Sequence, residues 1–158
     1  MKKLFFLFSF LTLLVLSTET KAQYTTGIGL RAGVSNGLTV KHFINQTAAL
    51  EGILHTRWEG LLITGLYEVH QDIRDVKGLQ WFYGGGVHLG TWNAGRGNPP
   101  WGNRNESYTI FGINGIVGLD YSFSNAPINL SLDYKPSFNL SPGGFWGDEV
   151  ALSIRFVF

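Results

Sequence analysis

The chain has 158 residues, enough for a single domain, and its 12 lysines and arginines nearly balance its 11 aspartates and glutamates. This balance argues against a nucleic-acid partner, and the absence of cysteine excludes a disulfide framework. Charged residues make up 15 % of the chain, well below the ~25 % that is typical of soluble domains.

The first segment of the chain, residues 1–22, has the pattern of a secretory signal peptide. Lys2 and Lys3 precede an apolar core, and Ala22 is a small residue at the expected cleavage position. The apolar core is shorter than the ~20 residues of a membrane-spanning helix. We therefore expect cleavage after Ala22 and a mature domain at 23–158.

Eight segments with alternating apolar and polar residues follow, separated by stretches rich in turn residues. Their length of roughly ten residues suits a tilted transmembrane strand, and eight is the smallest strand number in that barrel class. The sequence therefore predicts an all-β, eight-stranded antiparallel up-and-down transmembrane β-barrel. The segments are Thr26–Val34, Leu38–Ile44, Ala48–Arg57, Leu61–His70, Leu79–Thr91, Tyr108–Phe123, Ile128–Lys135 and Asp148–Phe158.

The connections between these segments differ in length. With the N-terminus in the periplasm, the two longest connections fall outside the cell, where barrels of this class carry their long loops. The outer connections are then 35–37, 59–60, 92–107 and 136–147, and the periplasmic ones are 45–47, 71–78 and 124–127.

Alternation also sorts the strand side chains onto two faces. Apolar residues fill one face, and nearly all ionisable residues share the other, which we call the charged face. A cationic side chain against lipid costs roughly 2–4 kcal/mol at mid-bilayer, so we expect the charged face to line a closed lumen. It comprises Arg31, Lys41, Glu51, His55, Arg57, Glu68, His70, His88, Asp120, Asp133, Lys135, Glu149 and Arg155, with His42 as the exception near a turn.

A soluble barrel with the faces inverted, as in lipocalins, is the alternative. The polar face of the fifth segment disfavours it, because a solvated wall would usually carry Lys and Glu, whereas small residues suit a crowded lumen. That face reads Gln80, Phe82, Gly84, Gly86, His88 and Gly90.

The positions of the turns predict which charged residues face each other. Arg31 should oppose Lys41, Lys41 should oppose Glu51, and Glu51 should oppose Glu68. Such a row requires opposite charges across the lumen, for example Arg31 or Arg155 reaching Glu51 or Glu68. Such a network either plugs the barrel or acts as a latch that can open. The expected members are Arg31, Lys41, Glu51, Arg57, Glu68, Asp120, Asp133 and Arg155.

The last segment carries Phe158 at its end and Phe156 two residues earlier. An exported chain with about eight amphipathic strands and this ending resembles the small OmpA/OmpX-like outer-membrane β-barrel proteins. The resemblance covers 23–158. It implies a location in a Gram-negative outer membrane, contact with its lipids and lipopolysaccharide, and recognition of Phe156 and Phe158 by the barrel-assembly machinery.

The two long connections, 92–107 and 136–147, are the expected surface contacts. Their aromatic rings could stack on sugars, and their arginines could bind lipopolysaccharide phosphates. The alternative is that the rings rest on lipid headgroups. The candidates are Trp92, Arg96, Trp101, Arg104, Phe145 and Trp146.

Catalysis is the remaining question. An enzyme that acylates or deacylates lipid A would need a nucleophile beside an oriented histidine such as His55 or His88, and no motif spacing supports one. Glu68, His70 and His88 do not have the spacing of a metal site. We expect a non-enzymatic structural or surface-interaction protein without cofactor or metal; a lipid-modifying enzyme and a narrow channel are the alternatives.

Overall fold

A computed structural model of the chain describes residues 24–57, 60–92, 106–141 and 143–158. The expected signal peptide at 1–22 lies outside these residues. Among the described residues, no helix is long and apolar enough to span a membrane.

The described residues form ten strands; eight of them correspond to the alternating segments noted above, and two lie within the expected connection 136–147. The strands are β1 (Thr26–Gly33), β2 (Asn36–Phe43), β3 (Ala48–Arg57), β4 (Gly60–Asp72), β5 (Leu79–Trp92), β6 (Tyr108–Ser122), β7 (Ile128–Tyr134), β8 (Ser137–Ser141), β9 (Gly143–Trp146) and β10 (Val150–Val157).

The strands close into a ring. Each strand from β1 to β6 pairs antiparallel with the strand that follows it in the chain. β7 then pairs with β10, and β10 pairs with β1. The ring therefore has eight positions, which confirms the predicted eight-stranded antiparallel barrel. Both described ends of the chain lie at one end of the barrel, where Thr26 N donates to Phe158 O at 2.9 Å. We call this the lower end and the opposite one the upper end.

Segment 136–147 is not the irregular loop that its turn residues suggested. It contains β8, which runs along β6 above β7, and β9, which pairs with β8. Lys135 N donates to Glu149 O at 2.8 Å and Gly115 N to Pro136 O at 2.9 Å, so the ladder continues across the interruption. Pro136 separates β7 from β8, but the chain keeps the same direction and stays paired on both sides of it.

The register between β1 and β2 differs from the expected one. Arg31 faces Gly37, and Lys41 faces Gly27, so Arg31 and Lys41 are not opposed. The turn is centred on Val34 rather than on 35–37, because Ser35 is fully buried and donates to Glu149 Oε1 at 2.8 Å.

The next two hairpins give one confirmed pair and one error. Lys41 faces Glu51 across β2 and β3, as predicted. Glu51 faces Leu66 rather than Glu68, because Arg57 pairs with Gly60 and the connection is therefore 58–59, outside the described residues. A shift of the turn by one residue moves every later pair along the strand.

The two faces of the wall have the predicted contents. Every residue assigned above to the charged face is buried inside the barrel. The outer face carries exposed apolar side chains such as Leu30, Ile63 and Val87, which are 61 %, 58 % and 63 % exposed. His42 is exposed near the lower end, 2.9 Å from Thr26 Oγ1.

Candidate functional site: the interior of the barrel

The lower half of the interior holds one ammonium group among three carboxylates. Lys41 Nζ lies 2.8 Å from Glu68 Oε2, 3.3 Å from Glu51 Oε2 and 3.5 Å from Asp120 Oδ2. It also sits 4.2 Å from the centroid of the Phe82 ring. Because β2, β3, β4 and β6 each supply one of these charges, this group ties four strands together. We call Lys41, Glu51, Glu68, Asp120 and Arg155 the lower cluster.

Arg155 on β10 brings the second cation to this cluster. Its Nη2 lies 2.5 Å from Glu51 Oε1, and its Nη1 donates to Ser131 Oγ at 2.8 Å and to Asn129 Oδ1 at 3.1 Å. Thr39 Oγ1 accepts from its Nε at 3.2 Å. Thr39 donates in turn to Glu51, and Asn129 donates to Asp120. The buried guanidinium is thus almost fully hydrogen-bonded, as a buried charge requires.

A second group of charges fills the upper half. Arg31 makes a bidentate pair with Asp133, with both nitrogen–oxygen distances at 2.6 Å. Glu149 lies 3.0 Å from Lys135 Nζ and 3.7 Å from Arg31 Nη2. The planar guanidinium of Arg31 matches the carboxylate geometry, which makes this the strongest kind of ion pair.

The upper rim carries one pair that reaches solvent. Arg57 Nη2 lies 2.7 Å from Asp148 Oδ1, and the Asp148 side chain is 62 % exposed. All eight residues expected in the lumen charge network therefore lie inside the barrel in ion pairs. Sequence reasoning left Lys135 and Glu149 out of that network although both were on the charged face, and it missed Asp148.

The residues expected at the surface differ in their exposure. Trp92 is 2 % exposed and packs inside with Leu62 and Ile110, so its assignment as a surface contact is corrected. It shares the parity of His88, which points inward, and its Nε1 donates to Arg57 O at 3.2 Å. A Cβ at Gly60 would lie 2.2 Å from the indole, so the glycine makes room for this ring.

The other loop candidates are divided in the same way. Phe145 is 65 % exposed on β9, whereas Trp146 is half-buried and lines an interior cavity. Arg96, Trp101 and Arg104 lie outside the described residues.

The three interior histidines are held separately. His88 lies between Asn114 Oδ1 and Asn139 Oδ1, each at 2.7 Å, and His70 Nε2 is 3.0 Å from Glu68 Oε2. His55 Nε2 is 3.1 Å from Thr64 Oγ1, but its Nδ1 has no hydrogen-bond partner among the described residues. No carboxylate therefore orients the His55 ring as a catalytic base would require.

One cavity in the interior of the barrel lies beside His88 and is small. The cavity beside His88 measures about 20 Å³, which is room for roughly one water molecule. Its polar lining includes Arg57, Lys135 and Asn139. Within the described ranges, no three histidine or acidic side chains are grouped so that they could hold a metal ion.

A series of aromatic rings lies at the lower end of the barrel. Tyr24, directly before β1, meets Phe43 edge to face at 5.1 Å between ring centroids, and Phe43 meets His70 at 4.7 Å. His70 stacks on Phe82 at 4.9 Å. Burial raises the pKa of the Tyr24 phenol. Tyr24 lies outside every alternating segment, so strand periodicity carried no signal for it.

Comparison with known proteins adds no relative. No protein-family model matches the chain, and no curated protein matches it either.

Proposed function

We propose that this chain is an integral outer-membrane β-barrel of the small OmpA/OmpX-like kind, with a non-enzymatic structural or surface-interaction role. The observation that carries the proposal is the sidedness of the wall: its ionisable side chains are buried inside, and its large apolar side chains are exposed outside. This is the reverse of a soluble protein, whose exposed apolar patches rarely exceed a few hundred Å².

The energetics of the wall favour lipid as its surroundings. Each of Leu30, Ile63 and Val87 is more than half exposed, and burial of such a side chain in an apolar medium contributes roughly 1.5–3 kcal/mol. The same bilayer would oppose the charged face by roughly 2–4 kcal/mol for each lysine or arginine. The gain from burying the apolar side chains and the avoided cost of placing charges in the bilayer both favour the orientation in which the apolar face meets acyl chains.

Aromatic side chains on the outer face near the lower end support this assignment. Trp81 and Tyr83 stack at 5.3 Å, Tyr121 and Phe123 meet at 4.8 Å, and Phe156 lies 6.3 Å from Phe158. Aromatic girdles of this kind mark the membrane interface in outer-membrane barrels. In the proposal, Phe156 and Phe158 also form the signal for the barrel-assembly machinery, and 1–22 is the cleaved signal peptide.

The ion pairs across the lumen support a structural role rather than conduction or catalysis. They cross it at two levels, and the cavity beside His88 has room for roughly one water molecule. Contacts at the cell surface then belong to segments 92–107 and 136–147, where the exposed Phe145 and the arginines Arg96 and Arg104 would meet lipopolysaccharide or an external ligand.

Electrophoretic mobility of the outer-membrane fraction tests the proposal. A folded barrel of this class resists detergent, so the unboiled chain should migrate differently from the boiled chain. Recovery of the mature chain from the soluble periplasmic fraction would overturn the proposal.

A further inference from the structure

Tyr24 occupies an unusual place at the lower end of the barrel. It precedes β1 and belongs to no strand, yet its phenol oxygen is buried and has no hydrogen-bond partner among the described residues. The ring lies against the inner face of β1: its Cε2 atom is 3.2 Å from the position that a Cβ at Gly27 would take. Gly27 thus provides the space in which the ring sits.

The Tyr24 ring is the outermost member of a stack that leads to the lower cluster. Phe43, His70 and Phe82 follow it at centroid distances of 5.1, 4.7 and 4.9 Å, and Lys41 Nζ sits 4.2 Å from the Phe82 centroid. The three inner members lie on strands, where the ladder fixes their backbone. Among the described residues, no backbone hydrogen bond of this kind restrains Tyr24, because the last ladder bond below β1 joins Phe43 N to Thr25 O at 2.8 Å.

We propose that Tyr24 is a hinged plug that closes the lower end of the lumen and keeps water from the lower cluster. Rotation of the backbone at Tyr24 removes the ring without breaking any strand pair. The lower cluster then meets water at the end of the barrel that faces the periplasm in the proposed orientation. Only the assignment of the lower end to the periplasm rests on the proposed function; the plug itself rests on the contacts of Tyr24.

Cysteine labelling tests the plug directly, because the chain contains no cysteine of its own. Ala49 is fully buried and pairs with Phe43, whose ring meets the Tyr24 ring. The Ala49→Cys variant is folded in detergent and treated with a small cationic methanethiosulfonate, and the rate at which the introduced thiol is labelled is measured. Adding Tyr24→Ala should raise the labelling rate by about tenfold or more, since it removes the free energy of local opening. Tyr24→Phe keeps the ring and should leave the rate nearly unchanged.

A second cysteine separates unplugging from general loosening. Ala151 is 2 % exposed and pairs with Gly33 near the upper end of β1. The labelling rate of Ala151→Cys should not respond to Tyr24→Ala. Equal rates for Ala49→Cys with and without Tyr24, or an equal rise at position 151, would overturn the plug. Failure of the outer-membrane assignment would appear instead as a soluble chain in fractionation.

Discussion

Arg155 and Glu51 meet across the lumen, with 2.5 Å between Nη2 and Oε1, although they lie on β10 and β3. Both side chains are buried, so each neutralises a charge that water cannot reach. Removing one partner of a buried pair leaves the other uncompensated, at a cost of roughly 3–5 kcal/mol.

The first prediction concerns this pair. Arg155→Leu and Glu51→Leu should each lower the urea midpoint of the refolded barrel. The double variant should lose less than the sum of the single losses, by about 0.5–3 kcal/mol, because the pair is coupled. A double-variant cycle that is additive within experimental error would show that the pair contributes no coupling.

The second prediction tests the surroundings of the outer wall. Val87 is 63 % exposed in the middle of the wall, so Val87→Arg should cost roughly 2–4 kcal/mol if acyl chains surround it. Thr91→Arg, on the same face near the end of β5, should cost only about 0–1 kcal/mol. Urea midpoints in lipid vesicles measure both. Equal, small effects would mean that the wall faces water, where exposed substitutions cost within about 0.5 kcal/mol.

The third prediction concerns the indole that was expected on the surface. A methyl group at Gly60 would lie 2.2 Å from the Trp92 ring, so Gly60→Ala should destabilise the barrel by roughly 1–3 kcal/mol. Gly52→Ala is the matched control, because no atom lies within 4 Å of the added methyl group. Chemical unfolding compares the two. An equal effect at both positions would contradict the buried place of Trp92.

The fourth prediction addresses catalysis. His55→Ala and His88→Ala should leave the lipid A of the cell unchanged, because neither histidine is hydrogen-bonded to a carboxylate among the described residues. Mass spectrometry of extracted lipid A, compared with cells lacking the protein, is the measurement, and the boiling-dependent shift in gel mobility confirms that each variant folds. Loss of a lipid A modification in a folded variant would instead support the lipid-modifying enzyme.

Sidedness could be predicted from the sequence because it depends on parity alone. Arg31 and Leu30 are neighbours in the chain, yet one is 2 % exposed and the other 61 %. Alternation puts successive side chains on opposite faces whatever the register. Trp92 lies at the end of β5, where the turn residues that follow suggested a loop. Its parity with His88 nevertheless gave the correct, inward direction of the side chain.

Most of the register and most ion-pair partners could not be predicted in the same way, although Lys41 opposite Glu51 and Arg155 beside Glu51 were among the expected contacts. Turn residues mark a turn only to within one or two positions, and the buried hydrogen bond of Ser35 moved the first turn to Val34. The partner of Arg31 is Asp133, 102 residues away. Such a contact depends on how the ring closes and on the lengths of side chains inside it, which no local pattern contains.

The distance along the chain between ionic partners has a consequence for the order of assembly. Arg31 finds Asp133, and Glu51 finds Arg155, only when the final strands arrive. Until the ring closes, Arg31 and Glu51 lack these partners, so a partial sheet of the early strands carries charges that the later strands must neutralise. The long-range ion pairs therefore stabilise the closed cylinder and not its separate hairpins.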